Sequence, residues 1–354
     1  MTAGVIAGAY QGPPELTLAR AFASWTLDLP VLVVVLLAAA LYLAGVRRLR
    51  RSGEHWPPGP VIAFCGGGLG VIVLATMSFL GVYQGVLFYA RAVQTILLLL
   101  AAPLFLALGR PVTLAIATLP RLGRRIGALI DSRLARILPC PAITALALVL
   151  VGFLLYFTPW YEAGLRNDLA RELTYLALLA PGLVFFWTLL RVDPVPKAYP
   201  YLVSLWVTGT EVVGDAILGL AIMADQNLIA GSYYRALARP WGPSLRADQV
   251  IGGGALWLLG DLIGLPFLAA QLIQMMREDE GEAARVDAQL DAGEVPLASA
   301  GAGTVPPGGD VPATGDVPAS GDVPASGDVP LTAPGQLWWE SDPRFAGRFR
   351  RPGA

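Results

Sequence analysis

The sequence predicts an all-α fold: a polytopic integral membrane bundle of about seven transmembrane helices. Three observations predict it. Hydrophobic residues make up 55% of the 354 and charged residues only 14%, against about 25% charged residues in a soluble domain. The charges are also spread unevenly, so that residues 29–46 (LPVLVVVLLAAALYLAGV) hold none at all. At a rise of about 1.5 Å per residue that run crosses most of a hydrocarbon core about 30 Å thick, and further apolar runs follow it.

The elements follow in chain order. Residues 1–28 form a segment before the first span; they lack the basic stretch of a cleaved leader, and the apolar run at 29–46 is long enough to stay as an anchor. The second span covers about 60–80, where Gly66, Gly67, Gly68 and Gly70 permit close helix approach. The third, 85–109, contains Pro103, the fifth, 173–190, contains Pro181, and the seventh, 250–272, contains Pro266. Such kinks are tolerated where neighbouring helices satisfy the freed carbonyls. The fourth run, 141–157, is the shortest, the sixth covers 199–224, and Gly252–Gly254 open the seventh. Orientation follows from the loops. Arg47, Arg48, Arg50, Arg51, six arginines between 110 and 136, Arg191 and Lys197 fall on one side. Only Arg166, Arg171, Arg235, Arg239 and Arg246 fall on the other. The positive-inside rule then places the N-terminus outside, the C-terminus in the cytoplasm and the chain in a plasma membrane. Residues 277–291 read as a charged cytoplasmic extension of the last helix. Residues 292–336, with GDVPA(S/T) units between Gly309 and Pro330, read as a disordered linker. In 337–354 Trp338, Trp339, Phe345 and Phe349 alternate with arginines, a mixture suited to a headgroup surface or a partner.

Composition excludes several function classes. A net charge of −1 gives no footprint for nucleic acid. The single histidine, His55, excludes a Ser-His-Asp set in the spans. The only lysine, Lys197, lies outside the last span, which excludes a retinal protein. Cys65 and Cys140 offer no disulfide framework. No catalytic group is evident and the chain reads as a non-enzyme, its first partner being the lipid bilayer itself.

Charged residues inside spans mark pairing or function. Four stand out: Arg91 in the third span, Glu211 and Asp215 four apart on one face of the sixth, and Asp261 in the seventh. Depth along the helices puts Arg91 and Asp215 at similar levels, so one buried polar cluster is expected, with Arg91 paired to Glu211 or Asp215. Met77 and Met223 are the only soft ligands near the outer span ends, and they are weak candidates for copper(I).

Three stretches carry a resemblance: VLFYARAVQTILLLLAAPLFLALGRPVTLA (86–115), YFTPWYEAGLRNDLARELTYLALLAPGLVFFWTLLRVDP (156–194), and a third from GDAILGLAIM (214–223) through RPWGPSLRADQVIGGGALWLLGD (239–261) to REDEGEAARVD (277–287). Together they resemble the CtaG-like family of cytochrome c oxidase assembly proteins in its actinobacterial form, over nearly all of residues 29–290. The resemblance implies a plasma-membrane protein of the respiratory chain that helps supply copper to the oxidase, with oxidase subunits as partners. It also implies histidines that this chain lacks. The family pattern H-M-x-x-H-M falls on Arg91–Ile96, so Arg91 and Thr95 stand at the histidine positions. The histidine-rich start of the fifth span is represented by Asp168, Arg171, Tyr175 and Ala177, and the sixth-span histidine by Asp215. The chain therefore reads as a histidine-depleted member with a scaffold or partner role and no predicted cofactor. Two other readings are a transporter of an ion or small solute using Arg91, Glu211, Asp215 and Asp261, and a copper binder using the methionines and carboxylates. The first is disfavoured by the absence of an internal repeat.

Overall fold

The structure is a computed structural model that describes residues 10–119, 141–194 and 201–294. All regular structure among these residues is helical. The chain divides into two units, Met1–Asp291 and Ala292–Ala354, and every site discussed lies in the first. Cys140, most of the arginine-rich loop, Lys197, the GDVPA repeats and the aromatic–arginine segment lie outside the described residues.

A short helix α1 (Leu18–Ala23) precedes α2 (Leu29–Arg51). Asp28 caps α2, its carboxylate accepting from the Val31 N–H at 3.3 Å, with Pro30 in the first turn where a missing N–H is harmless. Next come α3 (Pro58–Tyr83) and α4 (Phe88–Thr118), then α5 (Pro141–Phe157), α6 (Trp160–Arg166), α7 (Asp168–Leu190), α8 (Tyr201–Ala224), α9 (Gly231–Leu237) and α10 (Leu245–Glu294). Six of these helices are long and apolar enough to cross a membrane. A seventh crossing is made if α5 and α6, bent by 67° at a short break, form one span. The break falls at Thr158-Pro159. Pro159 has no N–H to continue the ladder, and the Thr158 hydroxyl instead donates to the Leu154 carbonyl at 2.6 Å.

The fold is built around α4. Its apolar window is 72% buried, against 22% for α2 at the periphery. Proline explains part of its shape. Pro103 cannot donate to the carbonyl of Leu99, and the helix opens into a π segment at Leu97–Ala101. Gly182 of α7 packs directly on this opening, so closely that a Cβ there would sit 2.1 Å from the Leu99 carbonyl oxygen. A second π segment, Ile62–Leu69, lies in α3, where Gly67 and Gly68 press against Phe105 and Leu106.

Two buried aspartates cap segments of α4 from far away in sequence. Asp248 accepts from the N–H groups of Phe88 and Tyr89 at 3.1 and 3.0 Å. Asp193 accepts from Val112 and Thr113 at 3.2 and 2.8 Å, where Pro111–Thr118 restarts after the left-handed Arg110. A helix start leaves four N–H groups without partners, so a carboxylate there satisfies donors and complements the dipole. These two contacts tie opposite ends of the bundle, the Asp168 end and the Arg191 end. At the Arg191 end α10 continues unbroken through the charged residues 277–291 to Glu294. Its 50 residues span about 75 Å, well beyond a bilayer core.

Candidate functional site

A polar opening lies at the Asp168 end, a cleft of about 520 Å³ whose lining includes Asp28, Thr76, Gln84, Asp168, Arg171 and Glu172. Helical spacing builds one wall. Asp168, Arg171 and Tyr175 are three and four apart, so they share a face of α7. Arg171 donates to Asp168 at 2.7 Å and lies 3.5 Å from Glu172. Asp168 is exposed, and the Tyr175 hydroxyl is buried below, donating to the Gln84 side-chain oxygen at 2.9 Å.

Gln84 connects this cleft to the bundle interior. The same oxygen accepts from Arg91 Nη1 at 3.5 Å, and Arg91 is 2% exposed. Its guanidinium also lies 5.1 Å from the centre of the Tyr161 ring, a cation–π contact that strengthens when desolvated. Gly164 leaves room for it, because a Cβ there would be 2.6 Å from Arg91 Nη2. Gln94 donates to the Ala75 carbonyl at 2.9 Å and lies 3.4 Å from the Tyr175 hydroxyl. Thr95 donates back to the Arg91 carbonyl and accepts from Tyr156 at 3.0 Å. The Tyr161 and Tyr234 hydroxyls meet at 2.8 Å. Burial pushes the Tyr234 hydroxyl well above the usual tyrosine range, so it stays neutral.

Arg91, Glu211, Asp215 and Asp261 were expected in one cluster with Arg91 paired to Glu211 or Asp215, and no such ion pair is found among the described residues. Among the described residues Arg91 forms no ion pair, and Glu211, Asp215 and Asp261 belong to a separate seam between α8 and α10. Depth was matched, but helical phase was not. Glu211 and Asp215 face Gly264 and Gly260 of α10, whereas Arg91 faces Gln84 and Tyr161. The buried ion pair of this end is instead Arg239–Asp248 at 3.3 Å. Gln84, Gln94, Tyr156, Tyr161, Tyr234, Arg239 and Asp248 were missed. A buried acid just inside the start of α10, after an arginine, was the available signal for the last two.

The positions that the resemblance assigns to histidines divide accordingly. Arg91, Thr95, Asp168, Arg171 and Tyr175 converge on the cleft and the network beneath it. Ala177 is half-buried and off that face, and Asp215 lies in the α8–α10 seam. The converging groups do not fit copper: two guanidiniums repel a cation, and the hydroxyls of Thr95 and Tyr175 are hard donors engaged elsewhere. Among the described residues no group of three His, Cys, Asp or Glu could hold a metal ion. Met77 is buried, and its carbonyl accepts from the Thr26 N–H at 2.8 Å. Met223 packs over Gly253 and Gly254.

These features define a multi-pass helical membrane protein with a polar cleft at one end and two separate buried polar sites. Sequence comparison is more specific. Residues 40–278 match the model of the cytochrome c oxidase caa3 assembly factor family, and the chain belongs to that family. It is 30% identical over 291 residues to uncharacterised proteins of Mycobacterium bovis and Mycobacterium tuberculosis, and 28% identical over 291 residues to one of Mycobacterium leprae. Each alignment covers 80% of this chain but 44% of the relative, so the chain spans less than half the length of these proteins. No solved structure matches it.

Proposed function

We propose that this chain serves cytochrome c oxidase assembly as a scaffold in the plasma membrane, docking an oxidase subunit and carrying no copper itself. The observation behind this reading is the Arg91–Gln84–Tyr175 network at the positions where the resemblance implies imidazoles. A guanidinium beside hydrogen-bonded hydroxyls cross-links α3, α4 and α7 without a metal. The chain is no enzyme in this reading. Its N-terminus faces outward and its C-terminus the cytoplasm, following the loop arginines.

A pull-down of the full chain from native membranes tests the role. Oxidase subunits should co-purify, and their absence overturns it. Copper(I) titration against a strong chelator should leave less than one tightly bound ion per chain. Stoichiometric retention lost in Met77→Leu/Met223→Leu would instead assign a methionine carrier. A reporter fused after Ala354 should be active only in its cytoplasmic version.

A further inference from the structure

The seam between α8 and α10 carries a polar file that the assembly reading does not use. Ser204, Thr208, Glu211 and Asp215 recur at helical spacing on one face of α8, all at most 3% exposed. The face opposite them on α10 is opened by glycines. A Cβ at Gly260 would meet Asp215 Oδ2 at 2.7 Å, and one at Gly264 would lie 3.4 Å from Glu211 Oε2. Both carboxyls thus face α10 one turn apart, and Asp261 follows Gly260 directly in sequence. Glu211 Oε1, Asp215 Oδ2 and Asp261 Oδ1 are nevertheless buried without partners.

A separate, uncharged group supports a ligand here. Gln271 is 3% exposed and reaches across the seam to Thr208, which lies 3.0 Å from its oxygen. Its Nε2 is left without any partner. Thr208 precedes Glu211 by about one turn of α8, so the unused donor and the unused acceptors lie along the same seam. Towards the Arg191 end the file continues, Thr208 donating to the Ser204 carbonyl at 3.1 Å and Arg191 donating to the Ser204 hydroxyl at 3.1 Å.

Among the described residues no ion pair neutralises these acids. Residues 141–157 of α5 hold no charged residue, α10 contributes Asp261, and Arg191 donates to Ser204 at the far end of the file. Several adjacent carboxylates cannot stay ionised in a membrane interior without a cation. The smallest cation that fits without a built coordination shell is a proton. We propose that Glu211 and Asp215, with Asp261 beside them, form an intramembrane proton-binding site that exchanges with water at the Arg191 end. This assignment does not rest on a role in oxidase assembly. In the exchange a proton from water at that end passes to a carboxylate oxygen, giving the neutral acid, and returns the same way; no electron moves.

The test is labelling by dicyclohexylcarbodiimide, which enters apolar regions and reacts with protonated carboxyls. The full chain in sealed membrane vesicles is treated, and the adduct is located by mass spectrometry. The expected result is an adduct on Glu211 or Asp215. While the site is mostly ionised, labelling should rise by roughly tenfold per unit as the Arg191 side is acidified. Acidifying the other side should leave it unchanged. Thr208→Val should keep the adduct but slow its response to a pH jump. Absence of the adduct at every pH, a response only to the opposite side, or an unchanged rate in Thr208→Val overturns the proposal. Protection by sodium at fixed pH also overturns it, since the site then takes a metal cation. The wild-type measurement stands even if Glu211→Gln or Asp215→Asn fails to fold.

Discussion

The Arg91 network and the α8–α10 seam bury charge in one bundle in opposite ways. Arg91 has no ion pair among the described residues but is held by groups that accept its charge, with Gln84 3.5 Å away and the Tyr161 ring 5.1 Å away. The seam places like charges together and leaves an oxygen on each of Glu211, Asp215 and Asp261 unused. A buried guanidinium spreads its charge and stacks on rings, so amides and aromatics can hold it permanently. A carboxyl has a cheaper escape, because it can take up a proton. The first site is suited to fixing helices, and the second to changing state.

A third buried charge calibrates the contrast. Asp248 pairs with Arg239 and caps α4 at once, both side chains being nearly inaccessible. Asp248→Ala should give the largest loss, about 3–5 kcal/mol, because Arg239 is left unpaired and two N–H groups lose their acceptor. Denaturant unfolding in micelles, followed by tryptophan fluorescence, measures it. A loss below that of Arg91→Ala would break the ordering.

Arg91→Ala comes next, at about 2–3 kcal/mol for the lost cation–π contact, the hydrogen bond and the cavity. The instructive measurement is the double variant with Asp215→Ala. If the two residues are not partners, the losses should add to within about 0.5 kcal/mol. Recovery in the double variant would restore the ion pair expected from depth alone.

What the sequence made readable follows from these particulars. Long uncharged runs determine spans regardless of neighbours, so the helices were visible, and the family was visible separately through the resemblance of residues 86–115, 156–194 and 214–287. So was the close packing at Gly66–Gly68, where Gly67 lies against Phe105 and Gly68 against Leu106. The pairing of Arg91 was not. Counting residues from a span end gives depth, but the neighbour a side chain meets depends on how its helix is rotated in the bundle, and Arg91 faces Gln84 and Tyr161. The caps by Asp193 and Asp248 were equally hidden, since each acts on a helix about 80 or 160 residues away.

Asp215→Asn and Glu211→Gln should change stability by less than about 1 kcal/mol, in sharp contrast to Arg91→Ala. Each replaces a carboxyl that has one unpartnered oxygen with an amide that can donate to its neighbour, and an unmet acceptor is itself costly. Losses comparable to that of Arg91→Ala in both variants would mean that the seam is as fixed as the guanidinium site.

A comparably small effect separates the wall of the Arg91 site from its centre. The Tyr161 and Tyr234 hydroxyls meet at 2.8 Å in a fully buried position. Removing one hydroxyl leaves the other without its partner, so Tyr234→Phe should cost about 1 kcal/mol. Removing both eliminates donor and acceptor together, and Tyr161→Phe/Tyr234→Phe should cost less than the sum of the single changes. The Tyr161 ring is retained in every variant, so the cation–π contact with Arg91 should survive. A double variant that loses the full sum would mean that the hydroxyls act separately, and one that also erases the effect of Arg91→Ala would mean that they, and not the ring, hold the guanidinium in place.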